Sequence, residues 1–301
     1  MNNTLSHKND GHFHGFSAFT LKLIALICMT LDHIAAIGFE IPVISRFYTP
    51  LRTVGRIAAP LFLFLLVESI CHTRSRKKLL LRLWLAGLCT ELFTTGVNAI
   101  FGENFHYFTP SNILFTFFYT VLFILLAEKL ILSFRKRDLR HVLLSACLLI
   151  AALLPTVLNR LLISLLAGNA DSIREVFLCQ GLIGSFFPAI TEVDYGVWFI
   201  LLGAALYFAG AKKRRCVVFA AFCLLCIAGT GLVTACPGIL SLPSLGLIPS
   251  YFTELQCCML LALPFMLLYN GERGPKCKWF FYFYYPLHRE VLFLLFSYLS
   301  A

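Results

Sequence analysis

Long apolar stretches separated by short polar loops run through the whole sequence. Nine of these stretches are long enough to cross a bilayer, since a spanning helix needs about 20 mostly apolar residues. They cover residues 18–39, 54–71, 79–101, 112–134, 141–166, 195–211, 216–236, 251–269 and 279–299. The pattern predicts an all-α polytopic membrane protein with about nine transmembrane helices, within a range of about eight to ten. We expect residues 18–301 to form one transmembrane domain and residues 1–17 to form a flexible polar tail.

Basic residues are concentrated in the loops that follow the second, fourth, sixth and eighth apolar stretches. These loops contain Arg74, Arg76, Lys77 and Lys78; Arg135, Lys136, Arg137 and Arg140; Lys212, Lys213, Arg214 and Arg215; and Arg273, Lys276 and Lys278. Because positively charged loops stay on the cytoplasmic side, this alternation predicts a cytoplasmic N-terminus and an external C-terminus. Orientation therefore explains the net charge of +10, and we expect no nucleic-acid partner.

The composition excludes a water-soluble fold. Hydrophobic residues make up 59% of the chain and charged residues 13%, whereas a soluble domain has about 25% charged residues. Most of the 12 cysteines lie inside apolar stretches, so we interpret them as small buried hydrophobic residues. Cys223 and Cys226 have CxxC spacing but no second ligand pair follows at the distance of a zinc site. The sequence therefore predicts no metal centre, haem or nucleotide cofactor.

A few ionisable residues interrupt the apolar stretches, where each charge is costly and indicates function by default. The main ones are Lys22, Asp32, His33, Arg56, Glu68, Glu91, Arg160, Glu254 and His288. Lys22 and His33 are eleven residues apart, so they share one helix face at a separation of about 16 Å. Because the first two helices are antiparallel, we expect an inner pair of Lys22 and Glu68 and an outer cluster of Asp32, His33 and Arg56.

Three further features extend the outer cluster. Pro60 removes the hydrogen bond to the carbonyl of Arg56, which predicts a kink at that point. Asn112 and Thr116 are spaced i and i+4, so their polar groups are expected to face one cavity. His288 follows Pro286 in the ninth stretch and adds a second buried histidine.

These residues fit two interpretations. Asp32 and Arg56 can form a structural ion pair, and Asn112 and Thr116 can form hydrogen bonds between helices. His33 favours a functional interpretation, because an imidazole takes up and releases protons near neutral pH. His288 fits either interpretation equally, whereas Glu91, Arg160 and Glu254 have no partner that the sequence identifies.

Four segments together resemble the TraX family. They are LKLIALICMTLDHIAAIGF (21–39), LRTVGRIAAPLFLFLLVESICHTRSRKKLLLRL (51–83), SNILFTF (111–117) and LLYNGERGPKCKWFFYFYYPLH (267–288). The family is named for a conjugation protein that N-acetylates the pilin subunit, and it is similar to the wider transmembrane acyltransferases. By this resemblance, the DH element of the family falls on Asp32 and His33, and its GRxAxPLF element includes Arg56. The acidic position falls on Glu68. The NIxFT element includes Asn112 and Thr116, and the YPLH element ends at His288. Lys22 takes the position where the wider group commonly has arginine.

The resemblance implies a bacterial inner-membrane acyltransferase that moves an acetyl group from acetyl-CoA to an amine or hydroxyl. The acceptor is expected to be a pilin-like protein, a glycan or a lipid of the cell envelope. The catalytic candidates are His33, as base or acyl carrier, with Asp32, Arg56, Asn112, Thr116 and His288 around it. The candidates for holding the acetyl-CoA co-substrate are Lys22, Glu68, Arg74, Arg76, Lys77 and Lys78.

A proton-coupled transporter that uses the same buried ionisable residues is the alternative, and a structural membrane component is a third hypothesis. Carriers often contain paired broken helices in matching halves of the chain. The breaks that we identify are single prolines, at Pro60, Pro264 and Pro286, which favours the enzyme.

Overall fold

The computed structural model describes residues 15–101, 112–167, 172–235 and 254–300, and this part of the chain is built from helices. In chain order they are α1 (Ala18–Ile37), α2 (Pro42–Arg46), α3 (Tyr48–Gly55), α4 (Ala58–His72), α5 (Arg76–Phe101), α6 (Ile113–Arg135), α7 (Leu139–Ala151), α8 (Leu154–Ala167), α9 (Ile173–Phe186), α10 (Gly196–Ala209), α11 (Lys212–Ala235), α12 (Glu254–Cys257), α13 (Leu263–Leu267) and α14 (Lys278–Ser300). A 3₁₀ turn (Cys258–Ala262) joins α12 to α13. The predicted all-α fold is confirmed.

Six helical segments are long and apolar enough to cross a membrane. They are Ala18–Ile37, Tyr48–His72, Arg76–Phe101, Ile113–Arg135, Leu139–Leu166 and Lys212–Gly231. The protein is therefore a multi-pass membrane protein that lies in a lipid bilayer. The predicted count of nine is not confirmed, because the segments Gly196–Ala209 and Cys258–Leu267 are shorter apolar helices. The ninth predicted stretch forms α14, in which Lys278, His288, Arg289 and Glu290 interrupt the apolar pattern.

Two of the spans are broken close to a proline. The span Tyr48–His72 is interrupted at Arg56 and Ile57, between α3 and α4, which is where Pro60 predicts a kink. This span also begins earlier than predicted, because α3 extends it back to Tyr48. The span Leu139–Leu166 is broken between α7 and α8, just before Pro155, and this break was not among the three that were predicted. The first break places Arg56 directly after α3, as its C-cap residue.

The hydrophobic core lies between α1, α4, α6, α10 and α11. Fully buried side chains from each of these helices meet there, among them Leu21, Phe64, Ile124, Phe199 and Phe219. By contrast, only 6% of the span Leu139–Leu166 is buried within the protein, so lipid must cover most of α7 and α8. The core helices therefore hold the interior polar residues in place, and the α7–α8 segment lies at the periphery.

The residues directly before α1 pack against the chain that follows α13. Phe16 donates its backbone N–H to Leu268 at 2.8 Å and accepts from the backbone N–H of Asn270 at 3.0 Å. Ser17 then caps α1 by accepting from the N–H of Thr20 at 3.2 Å. Residues 15–17 of the expected tail thus belong to the helical body, whereas residues 1–14 lie outside the described residues.

Helix α9 was not predicted, because the loop of residues 167–194 is too polar to form a spanning segment. Ser172 caps this helix by accepting from the N–H of Glu175 at 3.3 Å. The helix packs between α5 and α8, and Gly181 approaches Thr95 so closely that a Cβ atom would collide with it. The Ser172 cap, with Glu175 in the first turn, is the local signal from which this helix could have been found.

Candidate functional site

A buried ion cluster joins α1 to the bend between α3 and α4. Nη2 of Arg56 donates to both oxygens of the Asp32 carboxylate, at 2.7 and 2.8 Å. Nη1 of Arg52 donates to Oδ2 of the same carboxylate at 2.8 Å. Gly55 allows this close approach, because a Cβ atom there would collide with the Asp32 carboxylate. The predicted pairing of Asp32 and Arg56 is confirmed, whereas Arg52 was missed although it lies one turn before Arg56.

The remaining contacts of Arg56 come from distant parts of the chain. Nη1 donates to the side-chain oxygen of Gln256 at 3.3 Å, and the guanidinium carbon lies 6.0 Å from the centre of the Tyr195 ring. Both Asp32 oxygens accept from arginine, so the hydrogen bonds of this carboxylate go to Arg52 and Arg56. Gln256 and Tyr195 could not be found from helix periodicity, because neither shares a helix with the cluster.

His33 pairs with His288, although 255 residues separate them along the chain. Nδ1 of His33 lies 2.7 Å from Nε2 of His288, and the ring centres are 4.9 Å apart. Nδ1 of His288 lies 2.8 Å from the carbonyl oxygen of Tyr284, whose ring also stacks on His288. The two histidines that the sequence identified separately therefore form one unit.

The hydrogen positions in the histidine pair follow from its partners. A carbonyl oxygen can only accept, so Nδ1 of His288 donates to Tyr284. In a neutral His288 ring Nε2 must then accept, and the donor is Nδ1 of His33. A neutral His33 therefore has its lone pair on Nε2, which makes no hydrogen bond within the described residues. This arrangement leaves His33 able to accept a proton.

A second buried polar cluster connects α14 to α5. Nη2 of Arg289 donates to the hydroxyl of Thr94 at 2.7 Å, and that hydroxyl donates to Oε1 of Glu290 at 2.7 Å. Arg289 and Glu290 are 7% and 2% exposed, so both charges lie inside the protein. Neither residue was predicted as part of the site, although both directly follow His288 within an apolar stretch.

Asn112 and Thr116 contribute to packing, and they do not share a cavity as the spacing predicted. The amide of Asn112 donates to the Gly87 carbonyl at 2.9 Å, and its oxygen caps α6 through the N–H of Leu114 at 3.0 Å. The amide also lies 3.3 Å from a carboxylate oxygen of Glu91. The hydroxyl of Thr116 donates to the backbone carbonyl of Asp194 at 2.6 Å. The prediction from the i and i+4 spacing is wrong, because Asn112 is the N-cap that precedes α6 and each side chain meets a different neighbouring segment.

A cavity of about 880 Å³ lies between α1, α4, α5, α6 and α14. At one end it is lined by four basic side chains, which we call the basic mouth: Lys22, Arg74, Arg82 and Arg273. Its middle is lined by apolar side chains, including Leu26, Phe62, Leu65, Leu66, Leu79, Leu83, Leu114 and Phe117. The lining also includes Met29, one helical turn before His33, and Tyr284, which stacks on His288. The cavity thus leads from a cationic opening toward the histidine pair.

The predicted inner pair of Lys22 and Glu68 is wrong in its pairing, although both residues line the cavity. The carboxylate of Glu68 forms an ion pair with the guanidinium of Arg215 and lies 3.4 Å from Nε2 of His72. Lys22 lies over the ring of Phe281, 5.8 Å from its centre. A basic residue at the start of α11 therefore takes the carboxylate that the sequence assigned to Lys22.

The cluster of basic residues expected to hold the co-substrate is only partly at the cavity. Arg74 lines it, but Arg76 donates to the Glu128 carboxylate at 2.5 Å and to the Tyr207 hydroxyl at 2.9 Å. Lys77 and Lys78 are exposed and do not line the cavity. Arg82, one turn beyond Lys78 on α5, faces the cavity instead. Among the described residues, no group of three or more His, Cys, Asp or Glu side chains is arranged to hold a metal ion.

Comparison with known proteins identifies the family. Residues 17–168 and 143–296 each match the family described as TraX protein, and together they cover most of the chain. The chain belongs to the TraX family. Over 105 residues, this TraX-family chain is 40% identical to the probable fimbrial assembly protein FimC, serogroup H1, of Dichelobacter nodosus. This match spans 34% of the chain and 42% of the length of that relative. No solved structure matches the TraX-family chain.

Proposed function

We propose that this TraX-family protein is an integral membrane acyltransferase that moves an acetyl group from acetyl-CoA to an amine or hydroxyl. The acceptor would be a pilin-like protein or another component of the cell envelope. The observation that carries the proposal is the cavity that runs from the basic mouth to Met29 and Tyr284, which lie next to the histidine pair, although neither histidine lines the cavity. Its volume of about 880 Å³ lies within the range of about 300–1,000 Å³ typical of small-molecule sites.

The lining of the cavity suits the chemistry of acetyl-CoA. The basic mouth would hold its phosphate groups, because arginine and lysine form charge-assisted hydrogen bonds with phosphate oxygens. The long arm that carries the thioester would extend along the apolar lining, and His33 lies about 16 Å beyond Lys22 along α1. The basic mouth would face the cytoplasm, since basic loops stay on that side of the inner membrane.

In the reaction, Nε2 of His33 would take the proton of the acceptor amine or hydroxyl. The acceptor nitrogen or oxygen forms a bond to the acetyl carbon as the carbon–sulfur bond breaks, and the proton passes to the departing thiolate. The hydrogen bond from Nδ1 of His33 to His288 keeps the lone pair on Nε2. A histidine placed in this way contributes about 10²–10⁴ in rate.

The pilin-like acceptor is supported by the relative in Dichelobacter nodosus, whose name describes fimbrial assembly. We therefore propose a pilin-like peptide as the first acceptor to test, with glycan and lipid fractions as the next ones.

A proton-coupled transporter is the second candidate function. The observation in its favour is the cluster of Arg289, Glu290 and Thr94, which places two buried charges next to His288 along α14. Buried ionisable residues of this kind also form proton relays in carriers.

The test is transfer of labelled acetyl groups from acetyl-CoA by the full-length protein in lipid nanodiscs. We expect transfer by the wild type and a loss of about 10²-fold or more in His33→Gln. His141→Gln is the matched control, because His141 is exposed and pairs with Asp138 at the start of α7. Equal transfer by the wild type and His33→Gln would exclude His33 as the base. Absence of transfer to any acceptor, together with proton flux in proteoliposomes, would favour the transporter.

A further inference from the structure

Tyr195 has a backbone conformation that is rare for a large side chain. Its φ of 62° and ψ of 0° lie in the left-handed region, where a Cβ atom clashes with the following carbonyl oxygen. Within the described residues, Arg137 is the only other non-glycine residue with positive φ. Tyr195 occupies the N-cap of α10 without a side-chain capping bond, although serine, asparagine or aspartate would cap the helix better. Local stability therefore does not explain the presence of tyrosine at this position.

The tyrosine ring provides contacts that a capping residue could not. It covers the guanidinium of Arg56, whose carbon lies 6.0 Å from the ring centre. It also stacks on Phe199, at a distance of 4.8 Å between ring centres and an angle of 28°. Nη2 of Arg56 is bound by Asp32 and Nη1 by Gln256. The ring of Tyr195 lies over the face of the guanidinium and so restricts its movement out of the guanidinium plane.

The segment 187–195 is fixed by hydrogen bonds from buried side chains of neighbouring helices. Asn159 donates to the carbonyl of Phe187 at 2.8 Å, and Tyr119 donates to that of Pro188 at 2.6 Å. Thr116 donates to the carbonyl of Asp194 at 2.6 Å, directly before Tyr195. A strained residue persists where the surrounding structure determines it, and such residues are concentrated at functional sites.

We propose that Tyr195 is a positioning residue that holds the guanidinium of Arg56 against Asp32 beside the histidine pair. The catalytic part of this inference rests on the proposed acyltransferase function. Three neighbouring segments would then converge on Arg56: α1 through Asp32, α12 through Gln256, and the 187–195 segment through Tyr195. Thr116 would support this role indirectly, because its hydroxyl binds the carbonyl of Asp194, the residue before Tyr195.

The test compares Tyr195→Phe with Tyr195→Asn in labelled-acetyl transfer. We expect Tyr195→Phe to behave as the wild type, because it keeps the ring over Arg56. Tyr195→Asn should lower kcat by about 10- to 100-fold with the KM for acetyl-CoA unchanged, since small displacements of positioned groups reduce rate by such factors. Asparagine suits both the N-cap and the left-handed backbone, so the backbone conformation itself is retained. Arg137→Asn is the matched control, and its transfer should equal that of the wild type.

A second measurement does not depend on turnover. Arginine labelled with ¹⁵N reports the position of the Tyr195 ring, because a ring face shields the guanidinium protons beneath it. The Arg56 signal, assigned by its loss in Arg56→Lys, should be shielded in the wild type and in Tyr195→Phe but not in Tyr195→Asn. Should Tyr195→Asn fail to fold, Tyr195→Leu keeps an apolar contact with Phe199 without a ring face and must show the same losses.

The outcomes separate the two proposals. Undiminished transfer and an unchanged Arg56 signal in Tyr195→Asn would overturn the positioning role while leaving the acyltransferase intact. An equal loss in Tyr195→Phe would assign the effect to the hydroxyl and would also overturn it. If the wild type transfers no acetyl group, the proposed function fails, and the Arg56 signal alone then decides whether Tyr195 positions Arg56.

Discussion

At the scale of single residues, Gly55 shows how closely the ion cluster is packed. The position lies at the end of α3, and a Cβ atom added there would collide with the carboxylate of Asp32. That carboxylate is held by Arg52 and Arg56, so it cannot move away without breaking buried ion pairs. Loss of one partner from a buried ion pair leaves an uncompensated charge, which is strongly destabilising.

We therefore predict that Gly55→Ala destabilises the protein by about 1–3 kcal/mol, the usual cost of overpacking a buried site. Gly96→Ala is the matched control, because Gly96 lies within α5 and a Cβ atom there meets nothing within 4 Å. That change should instead stabilise the protein by about 0.5–1 kcal/mol, the helix preference of alanine over glycine. Thermal unfolding in detergent measures both effects. A Gly55→Ala protein as stable as Gly96→Ala would show that Asp32 is free to move.

The sequence identified part of this site and missed the rest for a physical reason. The antiparallel order of the first two predicted helices places Asp32 and Arg56 at a similar depth, so it could suggest this pair, and helix periodicity shows which side chains share one helix face. It does not show which helix faces another, and Gln256 and Tyr195 reach Arg56 only through tertiary packing. Arg289 and Glu290 differ from Gln256 and Tyr195, because the sequence itself shows two charged residues next to His288 within an apolar stretch. They could therefore have been predicted as candidates without the structure.

At the scale of helices, apolar length predicted where helices form more reliably than where they end. The first, third and fourth predicted stretches match α1, α5 and α6 to within a few residues. The second and fifth form spans that contain a break, and the chain near 251–269 forms α12, a 3₁₀ turn and α13 instead of one helix. Caps and prolines set these ends, and side chains such as Asp138 determine them locally.

Asp138 gives a test of such a cap at the start of α7. It accepts from the backbone N–H of His141 at 3.1 Å, and this bond, together with the His141 ring, holds the pKa of Asp138 below its ordinary value. The carboxylate form is therefore the capping form. Because the pKa is lowered by folding, the cap contributes stability above the unfolded pKa and loses it as the pH falls through the folded pKa.

Acidification should consequently increase amide hydrogen exchange in the first turn of α7 beyond the intrinsic pH effect. Asp138→Asn is the control, because asparagine caps a helix about as well as aspartate and does not titrate in this range. The ratio of exchange rates in the wild type and the variant, followed at the amide of His141, measures the effect. A ratio that stays constant on acidification would show that the Asp138 carboxylate does not secure the end of α7.

At the scale of the whole molecule, the cavity brings together side chains that the sequence could not connect. Its lining comes from five helices and from the loop before α14, which carries Arg273. The charge pattern pointed to the loop between the second and third stretches, and Arg74 there does line the cavity. It could not distinguish Lys78 from Arg82 on α5, because only helix packing determines which of the two faces inward.

This distinction gives the last prediction. Arg82→Glu should weaken binding of CoA by about ten-fold or more, since a hydrogen bond to a charged group is worth about 1.5–3 kcal/mol and the variant adds repulsion. Lys78→Glu changes the net charge equally on the same helix but lies outside the cavity, so its effect should be small and should disappear at high salt. Titration calorimetry with CoA, at low and at high salt, measures both variants.

Equal weakening by the two variants would indicate that only long-range electrostatic attraction between the protein and CoA contributes to binding. No weakening by Arg82→Glu would show that the phosphates of CoA bind away from the basic mouth. The proposal that acetyl-CoA extends through the cavity from the basic mouth toward His33 would then be wrong.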